Sequence, residues 1–326
     1  MKLRSYPQIP SIKPIALKAS RVKMGLGERA RFGLILLTVA GCSDPKAGNT
    51  EFENACDDPS LRSEYPALAS GEIFLEVPIC THVVYPNKAA YEERVASGTT
   101  TTFEGSLIDN PNKNLSGIIQ VGADYFQLYY DVGVRVYNTG KVDNIFHETW
   151  GLGEDQEDMR RANNKEDCIN VYVLLDTGKA YEDLDACGVG NYPGSDYPGS
   201  LIFCTTATTH EYGHNWGLYH THEGDIEKVL EEQENCYENG DLLCESAPDP
   251  SPDECSLSLV TYPTGNFQGS VYEVSCPNYP KLEEGIPYSS VMSYYNIPYQ
   301  GFGKEAGERI RCSLDQHWNQ IVTDAN

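Results

Sequence analysis

The chain has 326 residues, with 24 Lys and Arg against 48 Asp and Glu, a net charge of −24 and 40% hydrophobic residues. This apolar content excludes an intrinsically disordered chain. The acidic excess argues against a nucleic-acid partner, because contacts to phosphates require a basic surface. The 11 cysteines indicate an oxidising compartment. Since 11 is odd, at least one cysteine lies outside any set of internal disulfides.

The N-terminus combines basic residues with a short apolar run, Phe32 to Gly41, that ends at Cys42. The run is too short to span a bilayer and is typical of a cleaved leader. Residues 39–42 read Val-Ala-Gly-Cys and resemble a bacterial lipobox, in which the leader is cut before the cysteine and the sulfur carries a lipid. We predict a lipoprotein signal peptide over residues 1–41 and a lipidated Cys42. The alternatives are an ordinary cleaved signal that leaves Cys42 as a thiol, and a true start at Met24.

The next segment, residues 42–66, is polar without hydrophobic periodicity and is predicted to be a tether, so the folded domain should begin at residue 67. Residues 73–85 are rich in β-branched and aromatic side chains and predict a strand, with Pro78 favouring an edge position or a bulge. Apolar residues recur at helical spacing within 118–132, which predicts an amphipathic helix that ends near Gly133.

Strand-like and helical segments continue to alternate up to about residue 220. Residues 134–137 (VRVY) and 169–175 (INVYVLL) predict strands, and the repeated Tyr-Pro-Gly-Ser of 191–200 predicts a loop. A short strand at 201–204 then leads into a helix. Beyond residue 220 the chain becomes irregular, acidic and rich in cysteine.

A histidine motif carries the chemistry, since the chain matches HExxHxxGxxH from His210 onwards. On a helix, His210 and His214 lie one turn apart on the same face and can reach one metal ion. Gly217 allows a positive φ that ends the helix and returns His220 as a third ligand. Three histidines leave one position open, as in catalytic zinc sites, and place Glu211 to act as general base towards water.

Neither chance nor a purely structural zinc site accounts well for this motif. Five fixed positions arise by chance on the order of once in 10^5 chains of this length, judged from average residue frequencies. A structural zinc site is usually closed by four protein ligands and would give Glu211 no role. The motif therefore predicts a catalytic zinc ion.

The elongated motif resembles that of the metzincin metalloproteases and, within them, the pappalysin family. Other stretches similar to this family are Gly217–Thr221 with Glu223–Gly224, Gly240–Asp241 with Ala247–Pro248, Val77–Pro86, and Ser313–Gln316 as a helix start. His222 and Glu245–Ser246 depart from the family pattern. The resemblance implies that His210, His214 and His220 bind zinc and that Glu211 is the general base. It also implies that Met292 forms a methionine turn beneath the metal and that Tyr294 stabilises the oxyanion; the alternative is that both are ordinary core residues.

The resemblance implies an α+β fold, with an α/β-like N-terminal half and a twisted mixed sheet beside the active-site helix. The predicted catalytic domain spans 67–326, with an N-terminal subdomain at 67–220 and an irregular, disulfide-rich C-terminal subdomain at 221–326 that carries the methionine turn. Leu201–Phe203 is the candidate edge strand, with which an extended protein or peptide substrate would pair.

An acidic stretch follows the histidine motif, between Glu223 and Glu254. Carboxylates and backbone oxygens in such a stretch can bind Ca²⁺, although EF-hand spacing is absent. A solvated acidic loop would have the same composition. The sequence leaves both interpretations open.

Ten cysteines remain after Cys42 and permit five disulfides whose pairing the sequence does not give. Cys187 with Cys204 would brace the loop before the strand at 201–204. Alternatively, the thiolate of Cys56 would occupy the open zinc position and keep the enzyme latent. The disulfide candidates are Cys56, Cys80, Cys168, Cys187, Cys204, Cys236, Cys244, Cys255, Cys276 and Cys312.

The sequence thus predicts a zinc endopeptidase that hydrolyses extracellular proteins. We expect it in the bacterial cell envelope, attached to a membrane through its lipid alone, or else secreted. The alternative function is a non-catalytic, zinc-containing surface binding protein or adhesin. The intact Glu211 argues against that alternative.

Overall fold

The computed structural model describes residues 54–65, 75–98, 105–120, 126–128, 130–147, 154–175, 187–195, 198–221, 241–244, 256–262, 269–275, 291–292 and 301–324. The leader, Cys42 and Tyr294 lie outside these ranges, as do Cys236, Cys255 and Cys276. None of the helices within the ranges is long and apolar enough to cross a membrane.

Six α-helices and ten strands are formed by the described residues. The helices are α1 (Pro59–Arg62), α2 (Lys88–Ala96), α3 (Asn110–Leu115), α4 (Glu154–Asn163), α5 (Thr208–Asn215) and α6 (Lys304–Trp318). The strands are β1 (Leu75–Tyr85), β2 (Ile118–Gln120), β3 (Phe126–Leu128), β4 (Val134–Phe146), β5 (Ile169–Leu174), β6 (Gly188–Asn191), β7 (Gly199–Ile202), β8 (Ser256–Tyr262), β9 (Gly269–Ser275) and β10 (Thr323–Asp324).

The main sheet is mixed and has the order β4-β1-β5-β7-β6, while β10 pairs with the first two residues of β1. β1 is parallel to β4 and to β5, and β5 is parallel to β7. β6 runs antiparallel to β7 at one edge. β1 and β5 are almost wholly buried, which explains why both appear in the sequence as nearly continuous apolar runs. The strands predicted at 73–85, 134–137 and 169–175 are present, within a mixed α/β architecture.

Alternate residues of the central strands pack on opposite faces of the sheet. Val171 and Val173 belong to the larger core, which also includes Trp216 at the end of α5 and residues of α6. Tyr172 contributes to the smaller core together with Met159 of α4. Helices therefore cover both faces of the sheet, and α5 lies on the larger core.

Pro78 does not mark an edge strand, because β1 lies between β4 and β5. Pro78 falls between Glu76, which pairs with β10, and Ile79, the first residue that pairs with β5. The register with β4 shifts between Ile79 and Thr81, as at a bulge. A residue without an N–H group is tolerated where one neighbouring strand ends and the next begins.

The helix predicted at 118–132 is wrong, because this stretch contains the antiparallel pair β2 and β3. Gly117 adopts a φ of 69°, so α3 ends before the stretch begins. β-Branched and aromatic residues such as Ile118, Ile119 and Phe126 fit an extended backbone better than a helix. Over so short a stretch, the spacing of apolar residues does not distinguish the helical period of about 3.6 residues from the strand period of about 2 residues.

The edge strand is β6 and not Leu201–Phe203 as predicted. Leu201 and Ile202 belong to β7, which pairs with β5 on one side and with β6 on the other. The loop predicted at 191–200 contains the connection within this hairpin, and its end residues, Asn191 and Ser200, already belong to β6 and β7. Within the described ranges, the sheet ends at β6.

The predicted tether is folded over its second half. Residues 54–65 form a 3₁₀ turn (Ala55–Asp57) followed by α1, whose N-cap Asp58 accepts a hydrogen bond from the backbone N–H of Ser60. Cys56 is fully buried and forms a disulfide with Cys312 of α6. The latency hypothesis is therefore contradicted in this structure, because the Cys56 thiol is not available to a metal.

The structure contains disulfides, as the cysteine content predicted. The described pairs are Cys56–Cys312, Cys80–Cys168 and Cys187–Cys204. The third is the pair that the sequence suggested, and it joins the residue before β6 to a residue just after β7. Cys244 is also disulfide-bonded.

The C-terminal part is more regular than the sequence indicated. β8 and β9 form an antiparallel pair, and α6 is 15 residues long. The family resemblance placed a helix start at Ser313–Gln316, but this segment lies inside α6, which begins at Lys304.

Candidate metal centre

The three histidines of the motif converge in the structure. α5 presents His210 and His214 one turn apart, and His220 returns from the loop beyond the helix. One ring nitrogen of each histidine lies within 4.8 Å of the others. The Nε2 atoms of His214 and His220 are 2.9 Å apart. Such a cluster of nitrogens provides the donor set that zinc prefers.

Backbone carbonyls fix the tautomers of the two helical histidines. Nδ1 of His210 donates to the carbonyl of Val291 at 2.8 Å, and Nδ1 of His214 donates to the carbonyl of Leu218 at 2.9 Å. Because a carbonyl can only accept, each Nδ1 carries the proton and each Nε2 keeps its lone pair for a metal. Burial lowers the pKa of His210 to about 4, although the hydrogen bond to Val291 opposes this shift. His210 is therefore neutral near pH 7, as a ligand must be.

A Schellman motif turns the chain after α5. The N–H of Gly217 donates to the carbonyl of His214, and the N–H of Leu218 donates to the carbonyl of Gly213, each at 2.9 Å. Gly217 has a φ of 80°, which side chains rarely allow. The reversal brings His220 back beneath the helix, so this expectation for Gly217 agrees with the geometry.

Met292 lies against α5 at Gly213. Its side chain is buried, and a Cβ added to Gly213 would collide with its Sδ. The carbonyl of Met292 accepts from the N–H of Thr221 at 3.4 Å. The turn at 291–292 thus contacts both the helix and the residue that follows His220, and its functional role remains a prediction.

The carboxylate of Glu211 lies between α5 and the edge strand β6. Glu211 is 1% exposed, and a Cβ added to Gly188 would lie 2.6 Å from its Cγ. A Cβ added to Gly190 would collide with the carbonyl of Glu211 and lie 2.9 Å from Cβ of His214. Glycine at both positions lets β6 approach the helix more closely than any other residue would.

Sequence reasoning missed the residues that hold the edge of the sheet against α5. Besides the two glycines, Asn215 donates from Nδ2 to the carbonyls of Asn191 at 2.7 Å and Gly199 at 3.1 Å. Its Oδ1 accepts from the hydroxyl of Ser200 at 2.9 Å. In the sequence, the alternating glycines of residues 188–191 (GVGN), just after Cys187, could have indicated that this strand approaches a neighbouring element closely.

The predicted calcium site falls mostly on residues that the structure does not describe. Asp241 is buried, and its carboxylate accepts from the N–H of Leu243 at 3.1 Å while its carbonyl accepts from Arg309. Among the described residues, Asp241 belongs to no cluster of potential metal ligands. Calcium binding remains a prediction.

Comparison with known proteins gives three informative relatives, although no family model matches the chain. An extracellular metalloprotease of Neurospora crassa is 28% identical over 209 residues, which cover 57% of this chain and 61% of that protein. One of Colletotrichum graminicola is 26% identical over 316 residues, covering 89% and 92%. The chain is similar to fungal extracellular metalloproteases. An extracellular metalloprotease of Sordaria macrospora is 26% identical over 205 residues, which cover 57% of this chain and 61% of that protein. The chain therefore spans less than two thirds of the length of the Neurospora and Sordaria proteins.

Proposed function

We propose that the chain is a secreted or surface-attached zinc endopeptidase of the pappalysin type, within the metzincins. The observation that carries this proposal is the convergence of three imidazoles beside a buried glutamate, with two of the tautomers fixed by backbone carbonyls. Relatives that are named extracellular metalloproteases support the same class of enzyme. His210, His214 and His220 would hold the metal.

Glu211 and Tyr294 have separate roles in the proposed hydrolysis. A bound zinc ion would supply Lewis-acid polarisation of the scissile carbonyl and a lower pKa for water. Glu211 takes the proton from the attacking water and delivers it to the leaving amine, as a general base and then a general acid. Tyr294 donates a hydrogen bond to the oxyanion. The reaction needs no covalent intermediate with the enzyme.

The substrate is an extended segment of a protein or peptide that pairs with the outer edge of β6. β6 is four residues long and lies against the helix that carries Glu211 and His214. Main-chain hydrogen bonds to such an edge would orient the scissile bond across the histidines. The close approach that Gly188 and Gly190 allow sets the distance between this edge and the metal ligands.

Metal content and peptide cleavage measured together test the proposed function. We expect about one zinc per chain, cleavage of a proteome-derived peptide library, loss of cleavage with a chelator, and its return with added zinc. A protein with full zinc occupancy that cleaves neither the library nor a denatured protein would contradict the proposal and favour the binding protein or adhesin.

The location of the enzyme is proposed to be a membrane surface, through a lipid on Cys42 after removal of residues 1–41. The support is the sequence alone, since Cys42 lies outside the described ranges. Mass spectrometry of the mature N-terminus should find Cys42 carrying a diacylglycerol, and a Cys42→Ser variant should appear in the medium. An unmodified Cys42 on membrane-free wild-type protein would instead indicate secretion, as the names of the relatives suggest.

A further inference from the structure

The N-terminal segment contacts the loop that carries the third histidine. We call residues 217–221 the His220 loop and residues 54–62 the N-terminal segment. The hydroxyl of Tyr219 donates to Oδ2 of Asp57 at 3.0 Å, so the residue next to His220 is held by the N-terminal segment. His220 is the one ligand of the three that lies outside α5, and its position therefore depends on what holds its loop.

A buried arginine holds Asp57 in place from the other side. Arg309 of α6 is 0% exposed and forms an ion pair with Oδ1 of Asp57. It also donates to the carbonyl of Asp241 at 2.6 Å, and its guanidinium lies 5.0 Å from the centre of the Tyr219 ring. A buried guanidinium is costly unless it is paired and hydrogen-bonded, so Asp57, Tyr219 and Arg309 specify each other's positions.

Two further contacts fix the N-terminal segment against the same loop. The disulfide Cys56–Cys312 joins it to α6 beside the ion pair. Asn54 accepts from the N–H of Cys56 at 3.0 Å, and its Nδ2 lies 2.5 Å from where a Cβ of Gly217 would be. The segment thus fills the space beneath the turn that reverses the chain towards His220.

We propose that Tyr219 and Asp57 are positioning residues for the metal centre: their hydrogen bond holds the His220 loop so that His220 keeps its place beside His214. This rests on the proposed function, in which the three histidines hold zinc. Residues that orient metal ligands typically change metal affinity about 10- to 100-fold when replaced. Tyr219 acts on the backbone beside a ligand and not on the imidazole itself, so we expect the lower end of that range.

The variant Tyr219→Phe tests the proposal because it removes only the hydroxyl. Tyr65→Phe is the matched control, since the hydroxyl of Tyr65 donates to Asp315 at 2.5 Å and likewise joins the N-terminal part of the chain to α6, but on the exposed surface. The measurement is the rate at which the purified full-length protein loses zinc to a chelator that reports the metal. We expect this rate to rise about tenfold in Tyr219→Phe and less than about twofold in Tyr65→Phe.

A second measurement separates positioning from general stability. The unfolding temperatures of the two zinc-free variants should be similar, because each variant loses a single hydroxyl that donates to a carboxylate. Peptide cleavage by Tyr219→Phe should recover with excess zinc, since the catalytic groups are intact. Equal zinc loss in the two variants would overturn the inference and leave the zinc site standing. A wild-type protein that binds no zinc would overturn the proposed function and the inference together.

Discussion

The variant Glu211→Gln is expected to keep its zinc and to lose peptide-bond hydrolysis. Glutamine preserves the size of the side chain, so the packing of Glu211 against Gly188 is retained. It cannot accept a proton from water at neutral pH, however, and general acid–base catalysis typically contributes on the order of 10²- to 10⁴-fold. We expect kcat/KM on a library-derived peptide to fall by at least the lower of these factors.

Glu93→Gln is the control for this substitution, because Glu93 is exposed on α2 and the same charge is removed there. Zinc content, measured on the same samples as cleavage, distinguishes the two ways in which activity can fail. Loss of zinc from Glu211→Gln would show that Glu211 supports the metal site itself. If Glu211→Gln cleaved peptides as fast as the wild-type protein, Glu211 would not be the general base.

Gly190→Ala is expected to destabilise the protein and to disrupt the candidate site in one step. The added methyl group would meet the backbone carbonyl of Glu211 and Cβ of His214, neither of which can rotate away. β6 and α5 must then separate, although hydrogen bonds of Asn215 hold α5 to Asn191 of β6 and to Gly199 of β7. Overpacking of this kind costs about 1–3 kcal/mol and occasionally more.

Gly105→Ala is the matched control, because the nearest atom to its added methyl group is Oδ2 of Asp109 at an ordinary 3.9 Å. Urea unfolding gives the change in free energy for each variant, and zinc content with peptide cleavage gives the effect on the site. We expect a clear loss of stability and cleavage in Gly190→Ala and little change in Gly105→Ala. Equal unfolding midpoints for the two variants would mean that β6 does not approach α5 as closely as described.

The local features of the candidate site could be predicted from the sequence, because spacing along one helix decides them. His210 and His214 share a face of α5 wherever that helix lies, and Gly217 reverses the chain within a few residues. The Cys187–Cys204 disulfide could also be predicted, because its two cysteines are 17 residues apart and flank one hairpin. Each of these depends on contacts between residues that are close in sequence.

The features that could not be predicted depend on partners that are distant in sequence. Nothing near Cys56 indicates that it pairs with Cys312, 256 residues away, so a folded segment looked like a tether. The edge position of β6 depends on the strand order of the whole sheet, and its two glycines weaken any strand pattern. α2 buries none of its residues, so no apolar stripe marked it, and its capping by Asn87 was the remaining signal.

The Cys56–Cys312 disulfide also determines what a single cut in the chain would do. It joins residues near the two ends of the described structure, so cleavage of any peptide bond between them leaves the two fragments covalently attached. A molecule that is cut once between α5 and α6 would therefore keep the two helices in one covalent assembly. Nicked and intact molecules would have the same mass, apart from one added water, until the disulfides are reduced.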